Sequence, residues 1–245
     1  MTAPSEPTPA AAPPADVVAA RVEALRRHIA EAGRDPASVR IVAVTKGFGP
    51  DAVAAALAAG LRDIGENRVD ELLAKAHAFP AAGPDAPCWH YLGAIQRRRV
   101  PELAPVVGVW ETVARVEEGR SIAARAPGAA VLVQVDVSGL PGHNGCAPAA
   151  VPDLVAALRT LPLEVRGLML LAPQGPDAEV RAAMRTVAAA AAALGLPEVS
   201  MGMTDDLDAA LAEGTTMVRV GRGLFGPRPV PLPLDPGSTL SPGGT

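Results

Sequence analysis

The sequence predicts a single α/β domain, a (β/α)8 barrel. Three observations carry this. Eight short apolar runs recur over about 200 residues, helical patterns separate them, and several runs are near-continuous in apolar residues instead of alternating. Near-continuous runs suit strands covered on both faces, as in a parallel sheet. A doubly wound open sheet shares these features, but eight repeats favour the closed barrel, at the short end of its size range.

The expected strands are residues 41–45, 63–65, 89–92, 106–110, 130–137, 165–168, 199–201 and 217–220. The helices lie between them. Pro50 suits the first turn of a helix over 51–59, and Gly60 stops it. A helix over 67–78 carries Glu71 four residues before Lys75, a favourable spacing for an ion pair on a helix face. Over 177–194, Val180, Met184, Val187, Ala191 and Leu194 form one apolar stripe, and Gly195 ends it. Thr204 reads as an N-cap, followed by Asp205 and Asp206, for a helix that stops at Gly214. The Pro/Ala-rich residues 1–14 and the Pro/Gly-rich residues 227–245 read as disordered tails, leaving 15–226 for the barrel.

Bulk composition excludes several functions. The net charge is -4, which gives no general pull toward nucleic acid or anionic membrane. Cys88 and Cys146 are too few for a disulfide framework, and Cys88-Trp89-His90 has no second pair to complete a zinc site, so no metal is expected. The N-terminus has no basic start or apolar core of a signal peptide, and no stretch is apolar for long enough to span a bilayer. A cytoplasmic protein is expected.

One short stretch raises a chemical question. In RIVAVTKGFG, an apolar strand ends in Lys46 and then turns through glycines, yet this chain writes every cation but Lys46 and Lys75 as arginine. Barrel chemistry sits at the carboxyl ends of strands. A lysine amine can lose its proton and condense with an aldehyde, and an arginine cannot. Lys75 is explained by Glu71 as a cation on a helix face.

Two glycine turns point to an anion. VSMGMTDD ends a strand in Ser200-Met201-Gly202 and adds the Thr204 hydroxyl, while VRVGRG carries Arg219, Gly221 and Arg222 at the last strand. The loops after the last two strands are the usual phosphate site of such barrels. Glu66 and Asn67 fall at the second strand's end and His90 on the third strand, where it equally suits a core histidine.

These pieces occur in a familiar order. AVTK, GEN, WHYLGAIQ, VLVQVDVS, RGLMLLAP, VSMGMTDDLDAAL and TTMVRVGRGLFGPR cover nearly the whole chain between the tails. The sequence resembles the YggS/PROSC family of pyridoxal 5′-phosphate homeostasis proteins. The resemblance implies a single barrel like the N-terminal domain of alanine racemase. It also implies pyridoxal 5′-phosphate held as an internal aldimine on Lys46. Ser200 would lie near the phosphate within the cofactor-binding segment that also holds Met201 and Gly202, with Thr204 in place of the usual serine. Arg219 would face the pyridine nitrogen, Gly221 the phosphate, Asn67 would line the site and His90 would lie near it. Arg222 stands where a small hydroxyl residue is usual, and WETVAR replaces a Ser-x-Asp pattern.

The function implied is cofactor carriage or homeostasis without established turnover. The partners implied are the cofactor and apoenzymes that use it, with no nucleic acid or membrane, and the protein is expected to be a monomer. A slow amino-acid racemase and a partner-binding barrel without cofactor are the competing readings.

Overall fold

The structure is a computed structural model and describes residues 10–79, 83, 85–140 and 143–227. Eight parallel strands close into one barrel in chain order. They are β1 (Arg40–Val44), β2 (Asp63–Glu66), β3 (Cys88–Tyr91), β4 (Val107–Val113), β5 (Ala129–Val135), β6 (Leu163–Leu170), β7 (Glu198–Ser200) and β8 (Met217–Val220). The ring closes where β8 pairs with β1, with Val42 opposite Arg219 and Ala43 opposite Val220. The expected fold class is therefore the observed one.

Helix α1 (Ala15–Glu31) precedes β1. Then α2 (Pro50–Ala58), α3 (Val69–His77), α4 (Val100–Leu103), α5 (Val116–Ala123), α6 (Val151–Arg159), α7 (Asp177–Ala193) and α8 (Leu207–Ala212) connect successive strands, and α9 (Arg222–Phe225) follows β8. The expected stripe on α7 is buried at Val180, Met184, Val187 and Ala191.

Strand alternation divides the core in two. Ile41 and Ala43 face outward into the large apolar layer shared with the helices. Val109, Ala130, Leu132 and Met169, with Cys88, form a separate small cluster inside the ring. Such barrel interiors are usually filled by branched apolar residues. Here much of the remaining interior is polar, because Glu111, His90, Ser200 and Arg219 are all buried.

Two expectations are corrected. Strand β4 runs three residues past its expected end at Trp110, through Glu111 and Thr112 to Val113. Glu111 and Thr112 look like a strand terminus in sequence, yet both are buried and hydrogen-bonded. The N-terminal tail is also shorter than expected. Ala10 forms a β-bridge with Phe48, and the Ala12 amide donates to Asp51 at 2.6 Å, so residues 10–12 lie on the loop after β1. Residues 1–9 and 228–245 of the expected tails lie outside the described residues.

Candidate functional site

Lys46 lies in the turn directly after β1, at the carboxyl end of the ring, and is half-buried. Its neighbours are fixed on every side. The Thr45 amide donates to Gly65 of β2 at 3.1 Å, and the Phe48 amide donates back to Thr45 at 3.0 Å. The Gly47 amide donates to the Glu71 carboxylate at 2.9 Å. Gly47 has φ +82°, a conformation that glycine adopts without cost. The Ala10 amide donates to the Gly47 carbonyl at 3.1 Å and the Gly49 amide to the Ala10 carbonyl at 3.2 Å.

Lys75 is not the solvated cation that its spacing suggests. Its pair with Glu71 exists at 3.5 Å, but the residue is only 3% exposed. Its ammonium also meets the Glu66 carboxylate and donates to the Thr45 carbonyl at 2.8 Å. The Thr45 hydroxyl donates to the same Glu66 oxygen at 2.5 Å. An i,i+4 spacing places two charges on one helix face, but does not say whether that face meets solvent or protein. Burial raises the pKa of Glu66, and Lys75 and Thr45 only partly offset this. Its other oxygen, Oε2, is buried with no hydrogen-bond partner.

Inside the ring, a row of hydrogen-bonded side chains crosses the barrel. Asp63 Oδ1 lies 2.9 Å from His90 Nε2, and His90 Nδ1 lies 2.6 Å from Glu111 Oε1. The Ser200 hydroxyl donates to Glu111 Oε2 at 2.6 Å. Arg219 Nη1 donates to Ser200 Oγ at 2.7 Å, and Nη2 to the Leu170 carbonyl at 2.7 Å. Burial alone would lower the His90 pKa, but hydrogen bonds to Asp63, Cys88 and Glu111 and the Glu111 charge hold it well above 6.5. Burial would raise the Glu111 pKa, but the bond and charge of His90 and the charge of Arg219 keep it below its ordinary value. Burial pulls the Arg219 guanidinium down against the charges of Glu111 and Asp206, and it remains a cation. His90 thus sits in the interior between two carboxylates.

Asp63 joins Cys88 and His90 at the amino end of the ring, with one ligand-type atom from each within 4.8 Å of the others. The Arg40 guanidinium lies 3.9 Å from Asp63 and already places a cation there.

The two glycine turns come together as expected. The Arg219 amide donates to the Gly202 carbonyl at 2.9 Å, and the Gly223 amide to Thr204 Oγ1 at 3.2 Å. Gly202 has φ +97°, and a Cβ there would lie 2.5 Å from the Ala210 side chain. A Cβ on Gly221 would lie 3.1 Å from the Val44 carbonyl, so β8 passes close against the end of β1. Met201 is fully buried, and Asn67 is half-buried directly after β2.

Three expected residues behave differently from their sequence reading. Thr204 is not an N-cap, since α8 starts after Asp206, and its hydroxyl ties the two turns together. Ser200 points into the barrel at Glu111 and Arg219. Arg222, 55% exposed at its side chain, pairs with exposed Asp205. Sequence reasoning marked Glu66 only by its place at a strand end, and it missed Glu71, Lys75 and Glu111 as neighbours of the site. Only the carboxylate of GEN at a strand end offered a signal for any of them.

The alanine racemase N-terminal domain family matches residues 16–229. A pyridoxal phosphate homeostasis protein of Pseudomonas aeruginosa is 41% identical over 222 residues, 85% of this chain and 94% of the relative. The chain belongs to the YggS/PROSC family of pyridoxal phosphate homeostasis proteins. Another such protein, from Deinococcus radiodurans, is 38% identical over 85% of this chain and 99% of its own length. Among solved structures, PipY of Synechococcus elongatus with pyridoxal phosphate bound matches with a TM-score of 0.74 at 33% identity, over 85% of this chain and all of PipY. Alanine racemase of Corynebacterium glutamicum shares the fold, with a TM-score of 0.66 at 17% identity, over 91% of this chain and 64% of that enzyme.

Proposed function

We propose that this chain binds pyridoxal 5′-phosphate at the carboxyl end of its barrel and serves in homeostasis of that cofactor as a carrier. One observation supports this above others. Of two lysines, one is locked in a buried ion pair, and the other stands half-buried at the end of β1, beside the strand that carries Arg219.

The residues present fit the group. Its aldehyde calls for an amine, which Lys46 provides. Its phosphate calls for backbone amides at glycine turns, and the turns after β7 and β8 lie together, tied by the Gly223 amide on Thr204 Oγ1. Its ring nitrogen calls for a donor, and Arg219 is the buried cation of β8. When bound, pyridoxal phosphate supplies an aldehyde for condensation with amines and a ring that accepts electron density.

With the cofactor bound, Arg219 would face the ring nitrogen as a permanent donor and would keep it unprotonated, which would weaken the ring as an electron sink. That favours retention and transfer over turnover. Apoenzymes that use the cofactor are the recipients of such a carrier, and the cytoplasm is where they would meet it.

Purified protein should be yellow, and borohydride should fix the cofactor on the peptide that contains Lys46. Fixation on the Lys75 peptide alone would overturn the assignment. Racemised amino acid above the level made by free cofactor would overturn the carrier reading.

A further inference from the structure

We propose that Glu111 is a positioning residue for the cofactor ring, acting through Ser200 on Arg219; this rests on the cofactor reading above. Arg219 is the side chain assigned to the ring nitrogen, and an arginine has several rotamers with which to miss its target. Two fixed acceptors select one of them. Nη1 reaches Ser200 Oγ at 2.7 Å and Nη2 reaches the Leu170 carbonyl at 2.7 Å.

Leu170 is held by the β5–β6 ladder, where it pairs with Val135. Ser200 is different, because a hydroxyl rotates. To accept from Arg219 in a fixed direction, it must donate in another. Its proton goes to Glu111 Oε2 at 2.6 Å. The serine is therefore polarised, with an anion on its donor side and a guanidinium on its acceptor side. A hydrogen bond to a charged group is roughly twice as strong as a neutral one.

Glu111 is itself held. Its other oxygen meets His90 Nδ1 at 2.6 Å, and His90 Nε2 meets Asp63 at 2.9 Å. The charges alternate along the row as anion, cation, anion, neutral hydroxyl and cation. Each group is satisfied by the next, which a buried network requires to be an asset instead of a cost. Glu111 lies in WETVAR, where this sequence departs from the pattern its relatives suggested, and it sits past the expected end of β4.

A residue that only filled space would have no specific coupling to Arg219. A residue that aims Arg219 would, so a double-mutant cycle separates the two roles. Pyridoxal phosphate is titrated into apoprotein of four kinds: wild type, Glu111→Gln, Arg219→Gln and the double variant. The visible spectrum is recorded at each point. Glu111→Gln keeps the side chain's size and removes its charge. It should weaken binding about tenfold and alter the spectrum of the bound cofactor. In the Arg219→Gln background the same change should have little further effect. Inorganic phosphate, used as a competitor, should bind both Glu111 forms alike, because the row acts on the ring end.

Equal losses in both backgrounds would overturn the inference, as would wild-type binding and spectrum in Glu111→Gln. Should Glu111→Gln fail to fold, Ser200→Ala cuts the same link and must show the same coupling to Arg219, or the inference falls. Wild-type protein that binds no pyridoxal phosphate overturns the cofactor reading, and this inference with it. Wild-type binding with no coupling overturns this inference alone.

Discussion

The Lys75 ammonium donates to the Thr45 carbonyl at 2.8 Å, one residue before Lys46. A buried cation from α3 thus holds the peptide unit that leads into Lys46, and Glu71 of the same helix holds the amide that follows it. Lys46 is presented from a clamped turn. Its amine can be aimed at an aldehyde without first losing backbone freedom.

Lys75→Met should therefore be costly in two ways. It leaves Glu66 buried beside no cation, and breaking such a pair by removing one partner costs roughly 3–5 kcal/mol. Urea unfolding measures this. Glu66→Gln combined with Lys75→Met should recover much of the loss, since no buried charge then lacks a partner. The double variant should still bind pyridoxal phosphate more slowly than wild type, because the Thr45 carbonyl has lost its donor. Single and double variants of equal stability would show that the pair does not matter to the fold.

Lys46→Arg keeps the charge and removes the nucleophile. The side chain is half-buried at the ring's mouth, so the fold should survive. Borohydride should no longer fix the cofactor at this position, and the yellow band of the bound form should be lost. Phosphate-dependent binding should persist through the glycine turns. A retained band, with cofactor still fixed by borohydride, would mean that another amine does the chemistry.

Arg222→Ala tests a residue whose sequence position and structural position point in different directions. The sequence places it in the phosphate turn. In the structure its guanidinium lies on Asp205, with both side chains in solvent. Exposed pairs of this kind contribute little. The substitution should leave the unfolding midpoint, the cofactor's spectrum and its affinity unchanged within error. A clear loss of affinity would show that Arg222 leaves Asp205 for the phosphate when ligand binds.

The barrel was legible in the sequence because its evidence is repeated eight times, and because each βα unit carries its own apolar run and stop signal. The position of Lys46 at a strand end was legible, because a lysine stands out in an arginine-rich chain and the structure places it directly after β1. The supporting charges were not. Lys75 and Glu71 match a common surface pattern, and only the packing of α3 against the ends of β1 and β2 turns Lys75 inward. Glu111 looked like the end of a strand because polar residues usually mark one. It is buried because its partners, Ser200 and His90, lie 89 and 21 residues away and on other strands. Pairings at that separation leave no local periodicity to read.

The His90–Glu111 pair makes a prediction about pH. His90 is held above its ordinary value of 6.5 in the fold, so its contribution to stability is fully present below about 6.5 and is lost as pH rises through the folded value. Glu111 is held below its ordinary value of 4.5, so its contribution is present above about 4.5 and is lost as pH falls through the folded value. Both contributions are whole only between those two values. His90→Asn removes the imidazolium and leaves buried Glu111 and half-buried Asp63 facing a neutral amide. The stability difference between wild type and His90→Asn should therefore be largest between about pH 4.5 and 6.5. It should shrink as pH rises above that window and through the raised folded value of His90, where the wild-type imidazolium loses its proton. Urea unfolding of both proteins across that range measures it. A difference that stays constant with pH would show that His90 is neutral in the fold and that its two carboxylate neighbours are satisfied in some other way.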